Sequence, residues 1–201
     1  MAKEIVLKTE RLILRKPELA DVKDYVEGCN NINISKNIGS MPFPYSVKDA
    51  RDYLGTKIKE WGKNDYLFVI VLKEEDKVIG AIGLHDINFK EKSSKTGSWI
   101  SERYQRKGYI TEAKIAANTF AFRKLGLEKL ISPVFVDNTA SNATQKRVGY
   151  EFVKAKKKAA KCLATGKVHD ENFYELSSTR WNRVLPGLKK YLRNKIKYLK
   201  D

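Results

Sequence analysis

Cysteine and histidine are scarce, with two of each in 201 residues. Cys29 and Cys162 stand far apart in sequence, so they support neither a disulfide framework nor a zinc site. Each reads as an ordinary reduced thiol. His85 and His169 add no metal-ligand spacing. No run of about 18 apolar residues occurs, so no membrane span is expected. The opening Met1-Ala2-Lys3-Glu4-Ile5-Val6-Leu7 goes straight into a strand-like pattern. It lacks the apolar core and small-residue cleavage site of a signal peptide. The motifs G-x-x-x-x-G-K-S/T, G-x-G-x-x-G and G-x-S-x-G are also missing. Their absence argues against a P-loop nucleotide hydrolase, a dinucleotide-binding fingerprint and a nucleophile-elbow hydrolase. A metal-free, cytoplasmic protein is the simplest reading.

Acidic residues are also in the minority. Lys and Arg number 40 against 24 Asp and Glu, for a formal net charge of +16. Such a charge attracts nucleic acid and small phosphorylated ligands, and it fits a solvated lysine-rich surface equally well. Hydrophobic residues at 42% and charged residues at 32% suit a soluble globular chain. The length favours one domain with a small appendage.

The apolar runs Ile5-Val6-Leu7 and Leu12-Ile13-Leu14 predict a strand pair or one long strand. A helix is expected from Pro17 to Asn30, with Leu19, Val22, Tyr25 and Val26 on one face. Residues 30 to 45 read as a loop. Ser46 with Asp49 three residues on predicts a capped helix reaching Trp61. Strands follow at Tyr66 to Leu72, Val78 to Asn88 and Gly97 to Ile100, as an antiparallel meander. A helix is expected from Gly108 to Leu125, a strand from Leu130 to Val136, and a helix from Asn138 to Val148. Tyr150 to Val153 and Phe173 to Leu176 are the last strand candidates. Lys154, Lys156, Lys157, Lys158 and Lys161 read as a solvated hairpin loop. The order β-α-α-β-β-β-α-β-α-β-β implies a partly parallel sheet with helices on it, and ligands at the carboxyl ends of its strands. The stretch 182–201 holds seven Lys or Arg and one Asp. After Pro186-Gly187 it suggests a basic amphipathic helix. It either packs on the main domain, residues 1–181, or binds RNA, a ribosomal surface or another partner.

The most informative segment runs from Trp99 to Ala113. A strand ends near Ile100 and a helix starts near Gly108. The first amides of a helix lack intrahelical acceptors and carry partial positive charge, so phosphate sits naturally there. Gly108 permits close backbone approach, and Arg103, Arg106 and Lys107 add positive charge. The local pattern alone also fits a basic surface turn before an ordinary helix.

Gln105-Arg106-Lys107-Gly108-Tyr109-Ile110 resembles the pyrophosphate loop of the GCN5-related N-acetyltransferase (GNAT) superfamily. Ile110 replaces the small residue at its end. Thr9-Glu10-Arg11-Leu12-Ile13-Leu14-Arg15, Met41-Pro42-Phe43-Pro44-Tyr45 and Ile79-Gly80-Ala81-Ile82-Gly83-Leu84 resemble the RimJ/RimL-like branch, which acetylates ribosomal-protein N-termini. Asn138-Thr139-Ala140-Ser141-Asn142, ending in Val148-Gly149-Tyr150, resembles the family's second cofactor motif. The resemblance covers roughly residues 5 to 181. It implies a central mixed, strongly twisted α/β sheet of about seven strands, flanked by helices. It also implies acetyl-CoA in the gap between the strands carrying Trp99-Ile100 and Val134-Phe135-Val136. The pantetheine arm would lie along the Trp99-Ile100 backbone. Gln105, Arg106, Lys107, Gly108, Tyr109, Ile110 and Thr111 would hold the diphosphate, with Asn138 and Asn142 contacting the cofactor from the next helix.

The resemblance further implies direct acetyl transfer to an amine, with CoA as product. Many relatives carry a tyrosine at the position of Gln145, which is a poor acid. Ser141 matches the serine that the ribosomal-protein branch offers to the leaving thiolate, though it could equally serve as a helix-terminus hydrogen bond. Glu102, His85 and Tyr174 are base candidates by residue type, Glu102 foremost. The acceptor is expected to be a protein α-amine, by branch resemblance. The alternatives are a small amine, such as a polyamine or aminoglycoside, and a non-catalytic RNA- or ribosome-binding module. Either a monomer or a homodimer is compatible with the chain.

Overall fold

Two short strands, β1 (Leu7–Lys8) and β2 (Leu12–Arg15), open the structure as an antiparallel pair, with Leu7 opposite Leu14. The computed structural model describes residues 5–200. A 3-10 turn at Leu19–Asp21 leads into α1 (Val22–Cys29), so the expected first helix starts later than Pro17. The expected loop that follows holds one helical turn, α2 (Ile32–Ser35), started by the Asn31 side chain accepting from the Asn33 amide. Ser46 and Asp49 form the anticipated capping box of α3 (Val47–Glu60).

The meander is β3 (Tyr66–Leu72), β4 (Lys77–Asn88) and β5 (Ser93–Ile100). The third strand begins four residues before the expected Gly97, because Ser93, Lys95 and Thr96 pair with β4. After a 3-10 turn at Glu102–Tyr104 come α4 (Tyr109–Arg123), β6 (Lys129–Phe135) and α5 (Thr139–Val148). The chain continues as β7 (Glu151–Lys161), β8 (Val168–Ser177) and α6 (Ser178–Lys200). The lysine run from Lys154 therefore lies in a strand and not in a hairpin loop. β7 is the sheet's outer strand, and exposed lysines are a common defence of such an edge.

Among the described residues eight strands run in the order β1-β2-β3-β4-β5-β6-β8-β7. All pairs are antiparallel except β5 with β6, which α4 joins as a crossover. The period of two explains the layering. On β3, Tyr66, Phe68, Ile70 and Leu72 face a core shared with Ala113, Ala117 and Phe120 of α4. The intervening Leu67, Val69 and Val71 face a second core with Val22 and Tyr25 of α1 and Ala50 and Leu54 of α3. A strand buried on both faces reads as a continuous apolar run, as Tyr66 to Leu72 does.

The tail is one helix from Ser178 to the end of the described chain, continuous through Pro186. The boundary expected at 181/182 falls inside it. Trp181, Leu185 and Leu188 join the core that contains α4. Their packing outweighs the helix-breaking tendency of Pro186-Gly187.

Candidate functional site

β5 and β6 pair only from Ser93–Lys129 to Lys95–Ile131. Beyond that they part, and residues from both line a cleft of about 820 Å³. Thr96, Ser98, Trp99 and Ile100 come from one wall; Ser132, Val134 and Phe135 come from the other. Trp99 is fixed from below, its Nε1 donating to the Tyr25 hydroxyl at 3.2 Å.

α4 opens at the mouth of this cleft. Gly108, its N-terminal boundary residue, has φ +85, and no side chain caps the helix. The amides of Tyr109, Ile110 and Thr111 therefore point outward without intrahelical acceptors. These three residues, with Gln105, Arg106 and Gly108, line the cleft. Gln105 also steadies the strand end, its Nε2 donating to the Ile100 carbonyl at 3.1 Å. A Cβ on Gly108 would meet the Lys195 side chain at 3.2 Å and Arg11 at 3.5 Å. The cradle is thus narrow, basic and rich in amide donors, which fits a diphosphate.

The loop is braced from β2. Arg11 Nη1 donates to the Lys107 carbonyl at 3.0 Å. Arg11 Nε donates to Glu112 Oε2 at 2.8 Å, while Oε1 accepts from the Arg11 amide at 2.9 Å and the Thr9 hydroxyl at 2.7 Å. Glu112 is 1% exposed.

The remaining expected residues separate. Asn138 caps α5, accepting from the Ser141 amide at 3.0 Å, and both residues line the cleft. The Ser141 hydroxyl has no hydrogen-bond partner among the described residues. Asn142 faces away. Its Nδ2 donates to the carbonyls of Phe135 and Asn138, and its Oδ1 accepts from Asn172 and Tyr174. This geometry makes Asn142 a clamp between α5 and the strands, and it takes up the Tyr174 hydroxyl as well. Lys107 and Glu102 are not among the cleft-lining residues. Glu102 accepts from Asn31 at 2.6 Å and Asn33 at 3.2 Å, tying its turn to α2. Arg103 points toward Glu27 and Glu75.

Two features, Glu171 and Lys114, have no signal in the sequence, and a third, His85, is a base candidate by residue type alone. His85 lines the cleft with its ring against Gly83. Its Nδ1 donates to Asp65 Oδ2 at 2.7 Å, which also accepts from Lys57 at 2.8 Å. Glu171 of β8 lines the cleft, and burial pushes its carboxyl pKa above the ordinary value. Lys114, one and a half turns into α4, is fully buried at the cleft wall. Burial lowers its pKa to about 8. Below that pH both folded and unfolded chains hold the proton, and the buried charge weighs fully against folding. The penalty fades as pH rises from about 8 toward the ordinary lysine value.

The C-terminal helix also reaches this cleft, through Tyr191 and Lys195. Tyr191 lies under the Arg147 guanidinium, 6.0 Å from ring centroid to Cζ. The basic tail thus adds charge beside the phosphate cradle.

A crossover helix with an uncapped N-terminus, opening between two splayed parallel strands, makes a cleft suited to an extended phosphate-bearing ligand. The comparisons narrow this. The model of the acetyltransferase (GNAT) domain matches residues 11–151, and the chain belongs to that family. The N-acetyltransferase YnaD of Bacillus subtilis is 29% identical over 178 residues, covering 87% of this chain and 98% of that protein. YdaF of the same organism, named provisionally as a ribosomal N-acetyltransferase, is 29% identical over 143 residues, covering 69% and 76%. A solved structure of RimL, a ribosomal L7/L12 α-N-protein acetyltransferase, in complex with coenzyme A superposes with a TM-score of 0.75. It is 20% identical and covers 86% of this chain and 98% of that one. The protein is a GNAT-type N-acetyltransferase and uses acetyl-CoA.

Proposed function

We propose that the acceptor is the α-amine of a protein N-terminus, a ribosomal protein by analogy with the names of RimL and YdaF. The observation that carries this is the charge inventory of the cleft. Glu171 is the one carboxylate lining it among the described residues, against Lys95, Arg106, Lys114, Arg147 and Lys195. One carboxylate can hold one ammonium. A polycationic amine would face net repulsion. Asn33 of α2 and Asn37, Ile38, Ser40 and Met41 of the loop after it also line the cleft. The turn between β7 and β8 steadies that loop, the Leu163 amide donating to the Gly39 carbonyl at 3.0 Å.

Acetyl-CoA supplies an activated acyl group as a thioester. The chain's own residues have three tasks. The amide near Ile100 faces charge developing on the carbonyl oxygen. His85 replaces Glu102 as the base, because Asp65 holds Nδ1–H and leaves Nε2 as the acceptor for the amine's proton. Ser141 donates a hydrogen bond to the leaving sulfur.

Incubation with radiolabelled acetyl-CoA should label peptides with free N-termini and leave N-terminally blocked peptides unlabelled. Label appearing only on polyamines or aminoglycosides would overturn the reading. Ser141→Ala is expected to lower kcat about 100-fold with acetyl-CoA affinity unchanged by calorimetry. Undiminished turnover would remove Ser141 from the reaction.

A further inference from the structure

Lys114 stands out among the buried groups. It is a lysine with 1% exposure inside a GNAT cleft, and no carboxylate pairs with it among the described residues. Among the described residues its one hydrogen bond runs from Nζ to Gln145 Oε1, at 3.4 Å. Its ammonium also lies 5.6 Å from the Tyr150 ring centroid. The Tyr150 hydroxyl is in contact with Thr96 and Asn118, so the pocket around Nζ is polar but uncharged. Tyr150 itself is pushed up to about 12 by burial and stays neutral. Burial is the sole cause of the Lys114 shift, so no neighbouring charge offsets the ammonium.

A folded chain does not keep an unpaired buried cation for stability. Perturbed groups of this kind concentrate where chemistry needs them. Gln145 and Ser141 are one turn apart on α5 and share the cleft-facing side. Gln145 also stands at the position where many relatives carry a tyrosine. A serine hydroxyl can donate a hydrogen bond to sulfur, but its own proton is far too weakly acidic to transfer. The Lys114 ammonium, hydrogen-bonded to Gln145 from α4, can transfer one.

We propose that Lys114 protonates the sulfur leaving group, with Gln145 as the positioning residue for its ammonium. The bond from the acceptor nitrogen to the acyl carbon forms, and the carbon–sulfur bond breaks with its electron pair going to sulfur. One N–H proton of Lys114 moves to that sulfur, giving the thiol and a neutral amine. The proton lost by the acceptor nitrogen restores the ammonium through cleft water. The inference rests on acetyl-CoA as donor and holds for any amine acceptor.

The test reads binding and not turnover. The ultraviolet absorbance of the thiolate is followed against pH for coenzyme A bound to wild type and to Lys114→Met, with desulfo-coenzyme A as an affinity control. A nearby ammonium favours the thiolate, so the wild-type complex should ionise about one pH unit below free coenzyme A. Lys114→Met should abolish that shift and leave the desulfo-coenzyme A affinity within about twofold. A wild-type midpoint at or above that of the free thiol overturns the proposal without recourse to the variant. Equal midpoints in the two proteins overturn it as well. So does mass-spectrometric detection of an acetyl group on Lys114, which would make it an acceptor. Failure of wild type to bind desulfo-coenzyme A would sink both the donor site and this inference.

Discussion

Gly108→Asp is expected to raise the dissociation constant for acetyl-CoA by about 100-fold, or about 2.7 kcal/mol. Gly108 is where a helix would ordinarily carry a capping side chain. Aspartate there would accept from the amides of Ile110 or Thr111 and consume the donors that face the diphosphate. Its charge would also repel the ligand at the mouth. The backbone adds to the effect, because φ at this residue is +85 and a Cβ would crowd Lys195 at 3.2 Å. Aspartate tolerates left-handed backbone better than most side chains, so the fold should survive. Calorimetry with coenzyme A measures the loss, and circular dichroism checks that α4 is intact. Affinity within threefold of wild type, in a folded variant, would mean that the cradle is not the phosphate site.

The turn and helix start at Gly108 were legible because they are local. Strand end, turn, glycine and helix start lie within consecutive residues, and each has its own signature. The meander was legible for the same reason, since β3 is one uninterrupted apolar run. What escaped depends on contacts distant in sequence. His85 reads as a surface residue until Asp65, twenty positions earlier, closes on its Nδ1. Lys114 looks like the polar face of an amphipathic helix, yet α4 is buried on most sides. Glu102 has the right residue type beside the motif, but Asn31 and Asn33 claim its carboxylate from a segment read as loop. The tail is the clearest case. Its sequence leaves open whether it packs on the main domain or forms an arm for RNA or another partner, and Leu185 and Leu188 place it on the core. Lys195 then lands beside Gly108, a pairing that no sequence pattern announces.

Glu112→Leu should destabilise the fold by about 3–5 kcal/mol, the range for breaking a buried ion pair from one side. The carboxylate accepts from Thr9, from the Arg11 amide and from Arg11 Nε. Arg11 Nη2 also lies 2.7 Å from Oε2 but without hydrogen-bond alignment, so Nε carries the directional bond. The Arg11 side chain is only 15% exposed, and removing Glu112 leaves its charge enclosed and unpaired. At about 2–4 °C per kcal/mol for a chain of this size, the melting temperature should fall by about 10 °C. The double variant Arg11→Met with Glu112→Leu should recover much of that loss, because it removes the stranded charge together with its partner. The two proteins should still share one defect. Both lose the bond from Arg11 Nη1 to the Lys107 carbonyl in its braced geometry, so coenzyme A affinity should stay low after stability returns. Recovery of both together would mean that the β2 brace acts on folding alone. Recovery of stability without affinity would show that this buried pair is retained to hold the phosphate loop in shape.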